Sequence, residues 1–171
     1  MIKSIKIRLF PTEEQEIIMR KSVGVSRFAY NWGLARWNEL YGKGEKVSKV
    51  IVRTEFNAMK KQDEYKWLYE VSGKVTTQAF DDLDAAFKNL FKGTAKHPQF
   101  KSKKKSKQSF YVRYDAIKFA DGKVNMEKIG KVKYKSNYEI PNLPKYVNPR
   151  CQLLPYSFLL LWLRLFPPRS G

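Results

Sequence analysis

Asp81, Asp82 and Asp84 are the densest group of acids in the 171-residue sequence. Metal-assisted phosphodiester cleavage needs carboxylates that converge, and Asp81 and Asp84 have the i,i+3 spacing that puts them on one helix face. Asp84 also precedes Lys88 by four residues, the spacing of a solvated ion pair, and a solvated helix face is the plainer reading. His97, the only histidine, sits beside Pro98 with no second ligand near it. Cys151, the only cysteine, has Arg150 as its one basic neighbour, too little to make a reactive thiolate. One Cys and one His cannot build a four-ligand zinc site or a disulfide framework, which fits a reducing cytosol. No Gly-rich phosphate cradle followed by Lys and Ser or Thr occurs. The expectation is no catalytic residue, no metal and no cofactor.

The basic residues carry a stronger signal. Thirty-four Lys and Arg against sixteen Asp and Glu give a net charge of +18, which draws a protein to polyanions. Nucleic acid is the first partner to consider and an anionic membrane surface the second. Lys96, Lys101, Lys103, Lys104, Lys105 and Lys107 crowd a stretch without acids and run into Phe110, Tyr111 and Arg113. Lysines meet phosphates, and aromatics such as Phe110 and Tyr111 stack on unpaired bases. Lys6, Arg8 and Lys133 add to this surface. Arg27, Asn31 and Arg36 fall at i, i+4 and i+9. Arg27 and Asn31 suit base edges or phosphates and equally suit holding a helix turn in place.

Hydrophobic residues at 43% and aromatics at 15% are too abundant for a disordered basic tail, so the chain should fold. Lys6 and Arg8 alternate with Ile5, Ile7 and Leu9, which predicts a strand over residues 2–10 with one buried face. Thr12-Glu13-Glu14-Gln15 has capping-box spacing. It opens a helix with Ile17, Ile18 and Val23 as its apolar stripe and Gly24 as its stop. A second helix is expected over Val25–Tyr41, making residues 11–42 a helix-turn-helix candidate. Further helices are expected at Ser48–Lys61, around Tyr65–Tyr69 and at Lys74–Lys92. In the last, Val75, Ala79, Leu83, Ala86 and Leu90 form the stripe, widened by Phe80, Phe87 and Phe91. Residues 11–93 thus read as a helical lobe and 94–108 as a basic loop or mobile arm. Residues 109–147 read as strands, with Asp121-Gly122 as a hairpin turn. Residues 148–171 lack Lys, Asp and Glu and carry Leu159-Leu160-Leu161-Trp162 and Pro167-Pro168. The apolar run Leu153–Phe166 is shorter than the roughly 20 residues that span a bilayer, and Pro155 and Arg164 interrupt it. Met1–Lys6 lacks the apolar core of a secretory signal. No membrane partner is expected.

Four strings converge on one resemblance: Phe10–Gln15, Gly24–Leu34, Gln78–Phe91 and Pro98–Lys103. In that order and spacing residues 1–140 resemble the N-terminal half of the TnpB (OrfB) proteins of bacterial and archaeal insertion sequences. The resemblance implies an α+β fold. In it the N-terminal strand (1–10) and the later strands form an OB-like wedge barrel, with a helical, helix-turn-helix-like recognition lobe inserted between them. It implies DNA and a guide-like RNA as partners in transposition, in a bacterial or archaeal cytoplasm. Family members resemble RNA-guided DNA endonucleases, whose RuvC-like acidic triad and zinc ribbon lie further C-terminal. Neither is present here, so the chain is expected to be a nucleic-acid-binding fragment and not itself an enzyme. The tail from about Asn148 departs from the family pattern and reads as a frameshift or truncation. The alternatives are a stand-alone RNA-binding or regulatory protein, or a nonfunctional pseudogene fragment.

Overall fold

The computed structural model describes residues 3–137, 139–140, 149–154 and 159–165. The chain divides into two compact units, residues 1–23 with 107–171 and residues 24–106.

The first unit is built on a mixed-length antiparallel sheet. Strand β1 (Lys3–Phe10) is joined by β2 (Ser109–Tyr111), β3 (Lys118–Ala120), β4 (Lys123–Met126), β5 (Gly130–Lys135), β6 (Arg150–Leu153) and β7 (Leu159–Leu165) in the order β2-β6-β7-β1-β5-β4-β3. The predicted alternation of β1 holds: Ile5, Ile7 and Leu9 are buried, while Lys6 and Arg8 are exposed. Asp121 and Gly122 both adopt positive φ (52° and 69°), the geometry that matches a two-residue hairpin turn to the twist of its strands. The buried face also holds Phe110, Val124, Met126, Val132, Cys151 and Leu161. The N-terminal strand does join the later strands, as expected. The sheet formed by the described residues is not closed, however. β2 and β3, three residues each, are its edges and pair on one side only.

Within the atypical tail at 148–171, residues Arg150–Leu153 and Leu159–Leu165 form β6 and β7. β7 pairs with β1 from Lys3↔Leu165 to Leu9↔Leu159. Residues 141–148, the end of the expected strand region, and the prolines 155, 167 and 168 lie outside the described residues.

Helix α1 (Glu13–Gly42) begins in this unit and continues into the second. Its start is the predicted capping box, made reciprocally. Thr12 N–H donates to Gln15 Oε1 at 3.0 Å, and Gln15 N–H donates to Thr12 Oγ1 at 3.3 Å. Gln15 Nε2 then donates to the Lys131 carbonyl of β5 at 2.9 Å. The expected break at Gly24 is absent: residues 13–42 are one helix, and Gly24 is not among the positive-φ residues. A glycine inside a helix costs about 1 kcal/mol against alanine, too little to stop a helix whose next turns bury Val25, Ala29, Leu34 and Trp37.

The second unit packs the rest of α1 with α2 (Lys49–Met59), a 3₁₀ helix (Asp63–Tyr69) and α3 (Gly73–Phe91). Ser48 and Ser72 cap α2 and α3, accepting from Ile51 N–H (3.4 Å) and Lys74 N–H (3.3 Å). Phe56 sits at the centre, its ring 5.0 Å from Phe80, 5.2 Å from Trp32 and 6.3 Å from Phe28. Trp37 stacks on Phe87 at 4.3 Å. Gly33 lets α1 and α3 approach: a β-carbon there would lie 2.8 Å from Phe80 Cε1. The stripe of α3 is narrower than expected, because Phe91 is exposed and Leu90 only half-buried.

Candidate nucleic-acid interface

Two basic surfaces emerge, one in each unit. In the first unit, register decides which side chains share a face, because directly opposed residues lie on the same side of a sheet. Arg8 opposes Lys135 and Phe10 opposes Lys133, while Lys123 opposes Lys133 and Lys118 opposes Asn125. Lys6, Arg8, Lys118, Lys123, Lys131, Lys133 and Lys135 therefore form one exposed face. Neighbours lie about 7 Å apart along a strand and about 5 Å apart across strands. None of the seven strands contains an Asp or Glu. Like charges placed directly opposite destabilise a sheet; Lys123 faces Lys133, and Arg8 faces Lys135 with its guanidinium 5.0 Å from the Phe10 ring centroid. Arg8 and Lys133 were legible as candidates. Lys118, Lys123, Lys131 and Lys135 were missed, although the Lys-Val-Lys-Tyr-Lys alternation of β5 carried the signal.

The aromatic candidates on this unit separate. Phe110 opposes Cys151 on the buried face and is 2% exposed, so it is a core residue, not a stacking surface. Tyr111 opposes Arg150 on the other face and is half-buried; burial raises its phenol pKa. Within the basic segment Phe100 and Tyr114 are the exposed rings, at 60% and 56%. Arg113 is held by Asp115 (2.6 and 2.7 Å) and lies 3.5 Å from Glu127, which raises its pKa further. The Cys151 thiol is fully buried and pushed up to about 12 by desolvation, an inert group.

In the second unit the basic loop has defined structure. Lys103, Lys104 and Lys105 are exposed on one turn closed by three bonds. Lys105 N–H donates to Ser102 Oγ (3.0 Å), Ser102 N–H to Ser106 Oγ (2.9 Å), and Ser106 N–H to the Ser102 carbonyl (3.1 Å). At its base, Asn31 Nδ2 donates to the Lys101 carbonyl and Lys101 N–H donates to Asn31 Oδ1, both at 2.8 Å. The Lys101 ammonium lies 3.9 Å from the centroid of the buried Tyr30 ring. Burial, then the charge of Asp82, raises the Tyr30 pKa. Tyr30 gave no signal in the sequence, because its role depends on a partner 71 positions away.

The remaining candidates are mostly engaged within the fold. Arg36 binds Glu55 (2.5 and 3.1 Å) and Glu39 (2.8 Å), and both carboxylates raise its pKa. Arg27 is half-buried, while Lys96 and Lys107 are exposed. The aspartates do not converge. Asp81 pairs with Lys49 (2.8 Å), Asp82 accepts from Gln78 (3.1 Å) and Asp84 pairs with Lys88 (2.8 Å). Among the described residues no group of three or more His, Cys, Asp or Glu could hold a metal ion. No helix among them is long and apolar enough to cross a membrane.

The family model for the OrfB/IS605 helix-turn-helix domain matches residues 1–46. A Streptomyces pristinaespiralis protein named as an RNA-guided DNA endonuclease is 33% identical over 127 residues, covering 74% of this chain and 32% of that protein. InsQ of Escherichia coli K12, likewise named as an RNA-guided DNA endonuclease, is 26% identical over 147 residues, covering 85% and 37%. The virulence protein VsdF of Salmonella dublin is 30% identical over 113 residues, covering 60% and 95%. The chain belongs to the OrfB/TnpB family. It spans about a third of the length of the two endonuclease-named relatives. In this OrfB/TnpB chain the matched residues 1–46 are β1, the single helix α1 and the start of the loop after it. Two of the strings that carry the resemblance, Gly24–Leu34 and Pro98–Lys103, meet through Asn31 and Lys101.

Proposed function

We propose that this chain is a nucleic-acid-gripping part of an OrfB/TnpB-type transposition protein, binding DNA and guide-like RNA in a prokaryotic cytoplasm, without a nuclease centre of its own. The reading is carried by the acid-free sheet, where Arg8 faces Lys135 and Lys123 faces Lys133 across adjacent strands. A phosphate chain laid across this face would meet a cation on each of four adjacent strands. The lysine turn at 103–105 supports the same reading from the second unit.

Binding is mainly electrostatic. If about six phosphates are neutralised on duplex DNA, log K falls with log salt at a slope near −5. Fluorescence anisotropy of the full chain, titrated against duplex DNA, structured RNA and single strands across a salt series, tests this. A flat salt response on all three refutes the reading. Binding to RNA alone moves it to an RNA-binding protein outside transposition.

A further inference from the structure

The Lys101–Lys107 segment is Lys-Ser-Lys-Lys-Lys-Ser-Lys. It has no apolar side chain to anchor it, and five like charges repel one another within seven residues. Three short-range bonds through Ser102 and Ser106 close it into a turn, but none of them ties that turn to the rest of the fold. That tie is at Lys101, where one side chain satisfies both backbone groups of a single residue. Asn31 accepts from the Lys101 N–H and donates to the Lys101 carbonyl, at 2.8 Å each way. This is the pairing a neighbouring strand would supply, delivered by an amide on a rigid helix. Tyr30, 6% exposed, holds the same residue from the next position, with the Lys101 ammonium 3.9 Å from its ring centroid. The ammonium of Lys101 is thereby turned toward the fold, whereas Lys103, Lys104 and Lys105 point to solvent.

We infer that Asn31, aided by Tyr30, is a latch that fixes the lysine turn in its binding-competent shape, acting on nucleic acid through the loop and not by touching a base. The inference rests on the nucleic-acid reading above and assigns within it. Asn31 is a positioning residue, Lys101 is the latched residue, and Lys103–Lys105 are the phosphate contacts. Opening the latch leaves the loop's charges in place but populates other shapes. Apparent affinity then falls by the fraction of time the competent shape is present.

The test compares the full-length chain with Asn31→Ala. Binding to duplex DNA and structured RNA is measured across a salt series, and backbone hydrogen exchange is followed residue by residue. The latch predicts that Asn31→Ala weakens binding to every sequence alike, by about tenfold if the competent shape drops to about a tenth. The salt slope stays unchanged, because no phosphate contact is lost. The Lys101 amide exchanges at least about tenfold faster, while the Phe56 and Leu83 amides keep their protection. A shallower salt slope or an altered base preference overturns the inference, since Asn31 would then touch nucleic acid itself. Unchanged affinity with a deprotected Lys101 amide overturns it too. If Asn31→Ala loses protection at Phe56 and Leu83, Asn31→Asp replaces it. That variant keeps the acceptor for the Lys101 N–H and loses the donor, so weaker binding at intact Lys101 protection supports the latch, and wild-type affinity sinks it. A wild-type chain that binds no nucleic acid refutes the proposed function, while exchange at Lys101 still reports separately on the latch.

Discussion

Two alanine substitutions in α1 should move stability in opposite directions. At Gly33 the new β-carbon would stand 2.8 Å from Phe80 Cε1, 3.0 Å from Leu83 Cδ2 and 3.2 Å from Phe80 Cδ1. Neither neighbour is the loose end of a flexible chain: Phe80 is 2% exposed with its ring against Phe56, and Leu83 is 1% exposed. Overpacking of this kind costs about 1–3 kcal/mol, and helix propensity returns about 1 kcal/mol. Gly33→Ala should therefore destabilise by about 1 kcal/mol net, lowering Tm by roughly 2–4 °C for a chain of this size. At Gly24 a β-carbon meets nothing within 4 Å, so the propensity gain stands alone and Tm should rise by a similar amount. The same pair decides whether α1 is one helix. Were Gly24 a left-handed cap between two helices, alanine there would cost about 1–2 kcal/mol and Tm would fall. Thermal melting of both variants at fixed salt reads the difference. A Gly24→Ala protein less stable than wild type, or a Gly33→Ala protein more stable than Gly24→Ala, refutes the packing described for α1.

Changing Lys103, Lys104 and Lys105 together to Ala should make the duplex salt slope shallower by about 2.7, three contacts at about 0.9 each, with Tm unchanged; an unaltered slope would remove the turn from the interface. Arg36→Gln should lower Tm slightly through its partly exposed pairs with Glu55 and Glu39 and leave the salt slope alone, as anisotropy and melting on one preparation will show. Cys151 should resist iodoacetamide in the native chain at pH 8 and react in denaturant. Because its folded pKa is raised from 9.0 to about 12, its contribution is complete below pH 9. It is lost as pH rises toward 12, so Cys151→Ala should flatten the alkaline limb of the stability profile. Glu39, held at about 2 by Lys43 and Arg36, should stay ionised through pH 3 in a carboxylate-resolved NMR titration; its contribution is present above its ordinary value of 4.5 and fades as pH falls toward 2.

Local rules were legible in the sequence wherever neighbours along the chain decide the outcome. The alternation of β1, the Thr12–Gln15 box and the Asp121-Gly122 turn all form as their spacing predicts. Gly24 failed because glycine is a stop only where packing does not carry the helix onward; four buried side chains in the next turns outweigh a cost of about 1 kcal/mol. Phe110 and Tyr111 show a different limit. Alternation says that one of the two faces the core, but which one depends on parity, and parity is set by pairing Phe110 with Cys151 in a strand 41 positions away. The same holds for Asn31. Periodicity left it between reading bases and holding structure, and its partner Lys101 comes into reach only when α1 and the lysine loop fold into one unit. Charge was the exception to this dependence on distant partners. An excess of cations points to a polyanion before any fold is known, and folding adds the arrangement: exposed cations on acid-free strands and on the turn at Lys103–Lys105.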